Sequence, residues 1–279
     1  MFKTFAYTSF ALIAFAFNSI LCRLALRGGE GDAVGFTSVR LASGAVTLIT
    51  LSYFFSRHKT NIKRGSWFSA FFLFAYAVCF SFAYLGLTAG TGALVLFGSV
   101  QMTMIAAAIY RGERPQALEW LGLVVAICGL VYLVFPGLAS PPLTSSLLMA
   151  AAGAAWGFYT LRGKGSSDPL VETTGNFVRT VPIMAIAAVP YLSKIQLSYS
   201  GALLAILSGS VASGIGYTVW YAALKHHTAT RAAVLQLAVP VIAAAMGIIF
   251  LSEAANTRLF IAAALILGGI GLTILSRRN

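Results

Sequence analysis

Along the chain, long apolar runs alternate with short polar breaks. The runs lie at 4–24, 33–55, 66–87, 91–110, 117–135, 143–162, 172–192, 200–224, 229–251 and 257–276. A helix that crosses a bilayer needs roughly 20 predominantly apolar residues, so each run predicts one crossing. The breaks have plain chemical causes: charge clusters after the first, second, fourth and sixth runs, and Pro136 with Pro141 and Pro142 after the fifth. None of the runs alternates apolar with polar positions, as strands of a membrane barrel do. A segment in lipid must then satisfy its own backbone hydrogen bonds, so all ten are expected to be helices.

Composition agrees and removes the soluble classes. Of 279 residues, 59% are hydrophobic and 9% charged, against roughly 25% charged in an ordinary soluble domain. The longest polar stretch, SRHKTNIKRGS at 56–66, leaves no room for a separate soluble domain. The expected class is an all-α polytopic membrane protein with the lipid bilayer as its solvent. Lys3 followed by an apolar run resembles a secretory leader, but the apolar stretch runs on through Leu21 and more spans follow at once, so the first run is expected to stay as a helix.

Charge adds the topology. The formal net charge is +12, yet the basic residues are scattered over many loops, which argues against a nucleic-acid partner. With the N-terminus in the cytoplasm, 13 basic residues fall on the cytoplasmic side and four on the other: Arg23, Arg27, Lys194 and Arg258. Arg40 and Arg179 lie within spans. This positive-inside bias puts both termini in the cytoplasm. Cys22, Cys79 and Cys128 sit singly inside apolar runs and are expected as small packing residues. His58, His226 and His227 offer no metal-ligand spacing, so neither metal nor cofactor is expected.

The chain is also written twice. Shifted by 139 residues, FTSVRLASG at 36–44 falls on GNFVRTVPI at 175–183, pairing Arg40 with Arg179. The same shift pairs Phe17 with Trp156 and Arg23 with Arg162. At a shift of 140, residues 90–113 match 230–253, Glu113 pairs with Glu253, and Gly129 pairs with Gly269. Five runs per copy is an odd number, so the second copy is inserted upside down. The expected organisation is ten transmembrane helices as two inverted five-helix repeats, 1–136 and 137–279. Inverted repeats are the architecture of alternating-access carriers, which hold a small-molecule substrate near the midplane between halves. A monomer is compatible with this reading.

Ten helices as 5 + 5, an arginine early in the second helix of each half, and the pairs Gly112-Glu113 and Ser252-Glu253 closing each fourth helix resemble the EamA family of the drug/metabolite transporter superfamily. The resemblance covers essentially the whole chain and is strongest toward bacterial inner-membrane exporters of aromatic and other neutral amino acids. It implies export of small neutral metabolites, foremost amino acids with aromatic or hydrophobic side chains. A drug or other metabolite exporter of the same superfamily, including an exchange-coupled one, is the alternative. The fourth helix departs in one respect: Pro240 has no counterpart in the first half, where Val100-Gln101 stands.

Several residues are candidates for the substrate. Tyr76, Phe80 and Tyr84 recur every four residues on the third helix, and Tyr217 and Tyr221 do so on the eighth. With Trp156 and Tyr159 they form either an aromatic cavity wall or interhelical packing. Asn18, Gln101 and Gln236 are mid-span amides, expected to meet a zwitterion's polar groups or to hold helices together. Arg40 and Arg179 lie about seven residues, or roughly 10 Å, inside their spans. The repeated placement suggests a shared structural task such as tying helix ends, with a substrate-carboxylate contact as the alternative. Glu113 and Glu253 end helices where the macrodipole opposes them. They are expected in ion pairs, with Arg111 or Arg114 and with Arg258, or in a gate.

No Walker sequence, HExxH or nucleophile motif occurs, so an enzyme is not expected. None of the seven acidic residues lies near the centre of a span, where proton-coupled carriers keep an ionisable group. Passage down the solute's own gradient, or exchange, is the expected energetics.

Overall fold

A helix forms in each of the ten apolar runs. The computed structural model describes residues 2–55, 65–110, 112, 116–135, 140–163, 166–224, 226, 235–254 and 256–276. The helices are α1 Phe2–Arg27, α2 Ala33–Phe55, α3 Trp67–Ala83, α4 Ala89–Tyr110, α5 Ala117–Val134, α6 Leu143–Gly163, α7 Pro169–Ala188, α8 Tyr199–Leu224, α9 Ala238–Leu251 and α10 Thr257–Ser276. Among the described residues there is no β-strand, only an isolated bridge between Gly31 and Leu197. Six helices are long and apolar enough to cross a membrane on length and composition alone: α1, α2, α4, α5, α7 with its 3-10 extension Val189–Lys194, and α8. The outward faces carry large apolar side chains such as Tyr53, Phe54, Ile186, Ile249 and Phe260, a surface suited to lipid.

Helix starts follow from local chemistry. The Asp32 carboxylate accepts the N–H groups of Val34 and Gly35 at the head of α2. Asp168 accepts from the N–H of Val171 ahead of Pro169, which fits the first turn of α7 because its missing N–H would go unused there. Ser198 caps α8 through the Gly201 N–H, and Gln116 with Glu119 forms a reciprocal capping box on α5. α9 starts later than its apolar run suggests, residues 227–234 lying outside those described. Leu237 is a turn, and Pro240, with no N–H for the carbonyl four residues back, accounts for that break.

Small residues decide which helices approach closely. α1 lies against α8 and α9, and α6 against α3 and α4; α2 touches α7 and α8, α7 touches α3, α4 touches α9, and α5 touches α10. At Gly153 a Cβ would meet the Leu96 carbonyl and Ser99, and at Gly269 the Gly122 carbonyl and Ala126. These glycines therefore let α6 seat on α4 and α10 on α5, in the small-residue mode of membrane helices. Cys22 is buried as expected, whereas Cys128 is exposed on α5.

Helix α8 is not uniform. Residues Ser208–Ile215, SGSVASGI, form a π-helical segment between α-helical stretches ending at Leu207 and resuming at Gly216. Gly209 lies directly against the carbonyl of Arg40, and Gly44 approaches the Gly209 carbonyl in turn. Side chains larger than these would hold α2 and α8 apart.

Candidate functional site

The helix packing leaves a cavity in the middle of the bundle. It is lined by Phe15 and Asn18 from α1, Tyr76 and Phe80 from α3, Leu96 and Phe97 from α4, Trp156 from α6 and Tyr217 from α8. The non-atom space is about 290 Å³, most of it in crevices narrower than a water molecule, with room for about one water. Trp156 is its hub: its ring lies 4.6 Å from that of Tyr217, 5.0 Å from Tyr76 and 6.1 Å, edge-on, from Phe15. Such tilted and edge-to-face contacts suit the ring quadrupoles. Polarity enters through Asn18, whose amide donates to the Tyr76 hydroxyl at 3.3 Å and accepts from Ser208 Oγ at 2.5 Å.

Behind this wall lies Arg40, 1% exposed. It does not reach for the membrane surface or tie helix ends together. Its Nη2 donates to Tyr76 Oη at 3.1 Å, Ser213 Oγ at 3.3 Å and Tyr217 Oη at 3.4 Å, and Nε donates to Ser213 Oγ at 3.4 Å. The guanidinium lies 4.9 Å from the centre of the Phe80 ring and 5.2 Å from that of Tyr76. No carboxylate among the described residues contacts it, and Nη1 has no hydrogen-bond partner. Burying an ion costs several kcal/mol even after relaxation. Desolvated cation–π contacts offset about 2 kcal/mol each, and the hydroxyl contacts contribute about 1.5–3 kcal/mol each where their geometry is good.

The remaining candidates are dispersed. Tyr159 and Tyr221 line a second crevice of about 220 Å³ at the basic end of the bundle, with Gly163, Ser166, Glu172 and Asn176. Tyr84 is buried but turned away from the cavity, its hydroxyl donating to the Ala89 carbonyl at 3.4 Å. Gln101 and Gln236 are buried on α4 and just before α9 without lining either space. Arg179, half-buried, bonds the Gly175 carbonyl of its own helix at 2.8 Å and lies 5.8 Å from the Trp67 ring centre. Glu113, Arg111 and Arg114 lie outside the described residues. Phe15 and Phe97 were missed by sequence reasoning. Each shares a helix face with a polar candidate, Phe15 three residues before Asn18 and Phe97 four before Gln101, which is the signal that points to them.

The end opposite the basic one is fastened by charge. Ser252 ends α9 in the left-handed region (φ 51°), and the following N–H of Glu253 returns to the Gly247 carbonyl at 3.1 Å. That turn aims the Glu253 carboxylate at two compensating groups. Arg23 Nε lies 3.4 Å away, and the Ala89 N–H at the head of α4 donates at 2.8 Å, so α4's positive end offsets the opposing dipole of α9. Arg258, expected as the partner of Glu253, instead donates to the carbonyls of Tyr132 and Phe135 at the end of α5, because it is the second residue of α10 and sits beside that end. Arg23 also donates to the Tyr84 carbonyl at 2.9 Å, and Arg27 to the Leu251 carbonyl at 2.8 Å.

A second fastening joins residues 28–32 to the 195–201 segment. Asp32 and Gln196 exchange bonds at 2.9 and 2.8 Å, and Ser198 N–H donates to the Glu30 carbonyl at 2.8 Å. The Glu30 carboxylate accepts from the Ser198 and Ser200 hydroxyls, which hold its pKa below the usual carboxylate range. At the basic end, Arg162 donates to the hydroxyls of Ser69 at 3.1 Å and Ser66 at 3.3 Å and lies 5.8 Å from the Phe68 ring centre.

Comparison with known proteins places this arrangement. Residues 143–275 match the EamA-like transporter family. An uncharacterized protein of Pseudomonas aeruginosa is 46% identical over 275 residues, 99% of this chain and 96% of that one. A protein of Salmonella typhimurium named as a probable amino-acid metabolite efflux pump is 26% identical, covering 73% of each chain. A crystal structure with 19% identity superposes over 98% of this chain and 97% of its own, at a TM-score of 0.69.

Proposed function

The chain belongs to the EamA-like transporter family, and on that premise we propose that it exports small neutral metabolites, foremost amino acids with aromatic or hydrophobic side chains. The observation that carries this reading is the central cavity, whose rings come from both halves: Phe15, Tyr76, Phe80 and Phe97 from the first, Trp156 and Tyr217 from the second. A stacking wall of this kind accepts apolar and aromatic side chains and offers little to strongly hydrated ones. The amino-acid part is supported by the efflux pump named above.

The mechanism is alternating access by two inverted halves. Helix packing supports it: exchanging α1–α5 with α6–α10 turns α1 against α8 and α9 into α6 against α3 and α4, and α2 against α8 into α7 against α3. The pairs α2–α7, α4–α9 and α5–α10 map onto themselves. In the state described, the Arg23–Glu253 pair and the Glu30 and Asp32 fastenings hold one end together. The protein sits in a bacterial inner membrane with both termini in the cytoplasm, so the fastened end faces outward. Among the described residues no carboxylate borders the cavity, which supports facilitated diffusion or exchange in place of proton coupling.

The test is counterflow into proteoliposomes of the purified protein with a panel of labelled amino acids. Uptake should be strongest for phenylalanine, tryptophan, methionine and leucine, and Trp156→Ala should reduce it at least about tenfold, the loss of a large aromatic contact surface. No amino-acid movement by a preparation that is folded would move the substrate to drugs or other metabolites. An internal pH change that tracks uptake would overturn facilitated diffusion.

A further inference from the structure

Every group around the Arg40 guanidinium is in place except one. Tyr76 and Phe80 approach from α3, and Ser213 and Tyr217 from α8. None of them carries a fixed negative charge. Nη1 nevertheless has two N–H donors without an acceptor, in a side chain that is 99% buried. Arg23, Arg27, Arg179 and Arg258 end on backbone carbonyls, those of Tyr84, Leu251, Gly175 and Tyr132, while Arg162, at the more exposed basic end, ends on the hydroxyls of Ser69 and Ser66. Arg40 ends on hydroxyls, which are neutral and free to rotate.

Those hydroxyls also border the cavity. Tyr76 and Tyr217 line it, and their oxygens lie 3.4 Å apart across the boundary between the halves. Any movement that separates the halves separates these two rings and uncovers the guanidinium from the cavity side. The π segment contributes Ser213 to the same cluster, and π segments commonly mark functional positions in helices.

We propose that Arg40 is the anchor for an anionic group of the transported solute, and that this group is a carboxylate. The unfilled Nη1 and the planar guanidinium match a carboxylate's two oxygens, the geometry in which arginine binds most strongly. The inference rests on the carrier reading and narrows it. The solute supplies the missing counter-charge, its side chain stacks on Trp156, and Asn18 and Ser208 are the neutral polar groups left for its other end. Solutes that have the ring but no carboxylate leave a bare buried cation behind and are rejected.

The experiment is competition against labelled phenylalanine counterflow in proteoliposomes, with thermal stabilisation of the detergent-purified protein as a second readout. Unlabelled phenylalanine and 3-phenylpropionate should compete and stabilise. Phenethylamine and phenylalanine amide, which lack the carboxylate, should do both at least about tenfold more weakly. Arg40→Gln should abolish that preference, while Arg40→Lys, which keeps the charge, should retain it at lower affinity. Equal competition by phenethylamine on the unmodified protein would overturn the anchor and leave the carrier standing. Carboxylates that stabilise the protein although no phenylalanine is carried would uphold the anchor and refute the amino-acid assignment. A folded Arg40→Gln protein that still prefers carboxylates tenfold would place the anion elsewhere and overturn the proposal.

Discussion

Arg40 and Arg179 fall on each other when the sequence is shifted by 139 residues, yet their surroundings are opposite. Arg40 is sealed among Tyr76, Phe80, Ser213 and Tyr217, with no carbonyl or carboxylate among the described residues to receive it. Arg179 bends back to its own helix at Gly175 and lies over Trp67 at the bundle's edge. The partner helix makes the difference. α2 sinks against the glycine-rich π segment of α8, where Gly209 admits the Arg40 backbone. α7 meets α3, which has Phe72 and Tyr76 rather than glycines along its middle. Positions matched by the sequence repeat therefore share helix placement without sharing chemistry, and of the two arginines Arg40 borders the cavity wall.

The largest test of this contrast is replacement by an apolar side chain of similar reach. Arg40→Met should cut counterflow at least about tenfold, since a charge-assisted contact to the solute is lost. Its Tm in detergent should stay level or rise, because an uncompensated buried charge goes with it. Arg179→Met should change transport less than about twofold, as expected of a charge at a partly solvated edge. A large fall in Tm for Arg40→Met, with transport surviving, would reverse the roles assigned here.

The two ends of the bundle differ in the same way and can be tested next. Glu253→Gln leaves Arg23 without its counter-charge in a place where the two side chains are 14% and 6% exposed. It should cost about 3 kcal/mol, the figure for breaking a largely buried pair, and raise labelling of a cysteine placed at Thr88 by a membrane-impermeant thiol reagent. Arg162→Gln, whose partners are serine hydroxyls nearer solvent, should cost no more than about 1 kcal/mol.

Below the Glu253 effect comes that of adding a methyl group at a glycine. Gly209→Ala sets a Cβ on the Arg40 carbonyl and should destabilise by about 1–3 kcal/mol. Gly268→Ala meets nothing within 4 Å and should be neutral or slightly stabilising, as alanine suits a helix better. Thermal melts of both variants decide it.

The smallest effect is one of pH. The Glu30 carboxyl is held below its usual range by Ser198 and Ser200. Its contribution is then fully present above the ordinary carboxylate pKa and lost as pH falls through the lowered one. Hydrogen-exchange protection at residues 28–32, corrected for the intrinsic pH dependence of exchange, should fall as the pH drops below about 4, and Ser198→Ala with Ser200→Ala should remove most of that dependence.

How much of this could be read from the chain varies by residue. The helices were legible because apolar length is a strong signal in lipid, and the break before Pro240 follows from a missing N–H. The pairing of Glu253 was not. Arg258 is five residues away in sequence, but Arg23, 230 residues away, is the group that faces the carboxylate after the left-handed turn at Ser252. Tyr76 and Trp156 stood out as aromatic positions, whereas their separation from Tyr84, Gln101 and Gln236 depends on helix rotation, which no spacing reports. Nor does a run of small residues announce a π segment: SGSVASGI reads equally well as ordinary α-helix.

That segment sets the phase of everything after it. A π turn amounts to an added residue in a helix, so Gly216–Leu224 is rotated relative to the frame that ends at Leu207. Deleting one residue between 208 and 215 would restore the regular winding and swing Tyr217, Trp220 and Tyr221 around the axis by about 100°. The aromatic lining can thus change through an insertion or a deletion inside a helix, with every lining side chain kept and every loop untouched. Lineages carrying this fold have a route to new solute preferences that a comparison of substitutions alone would overlook.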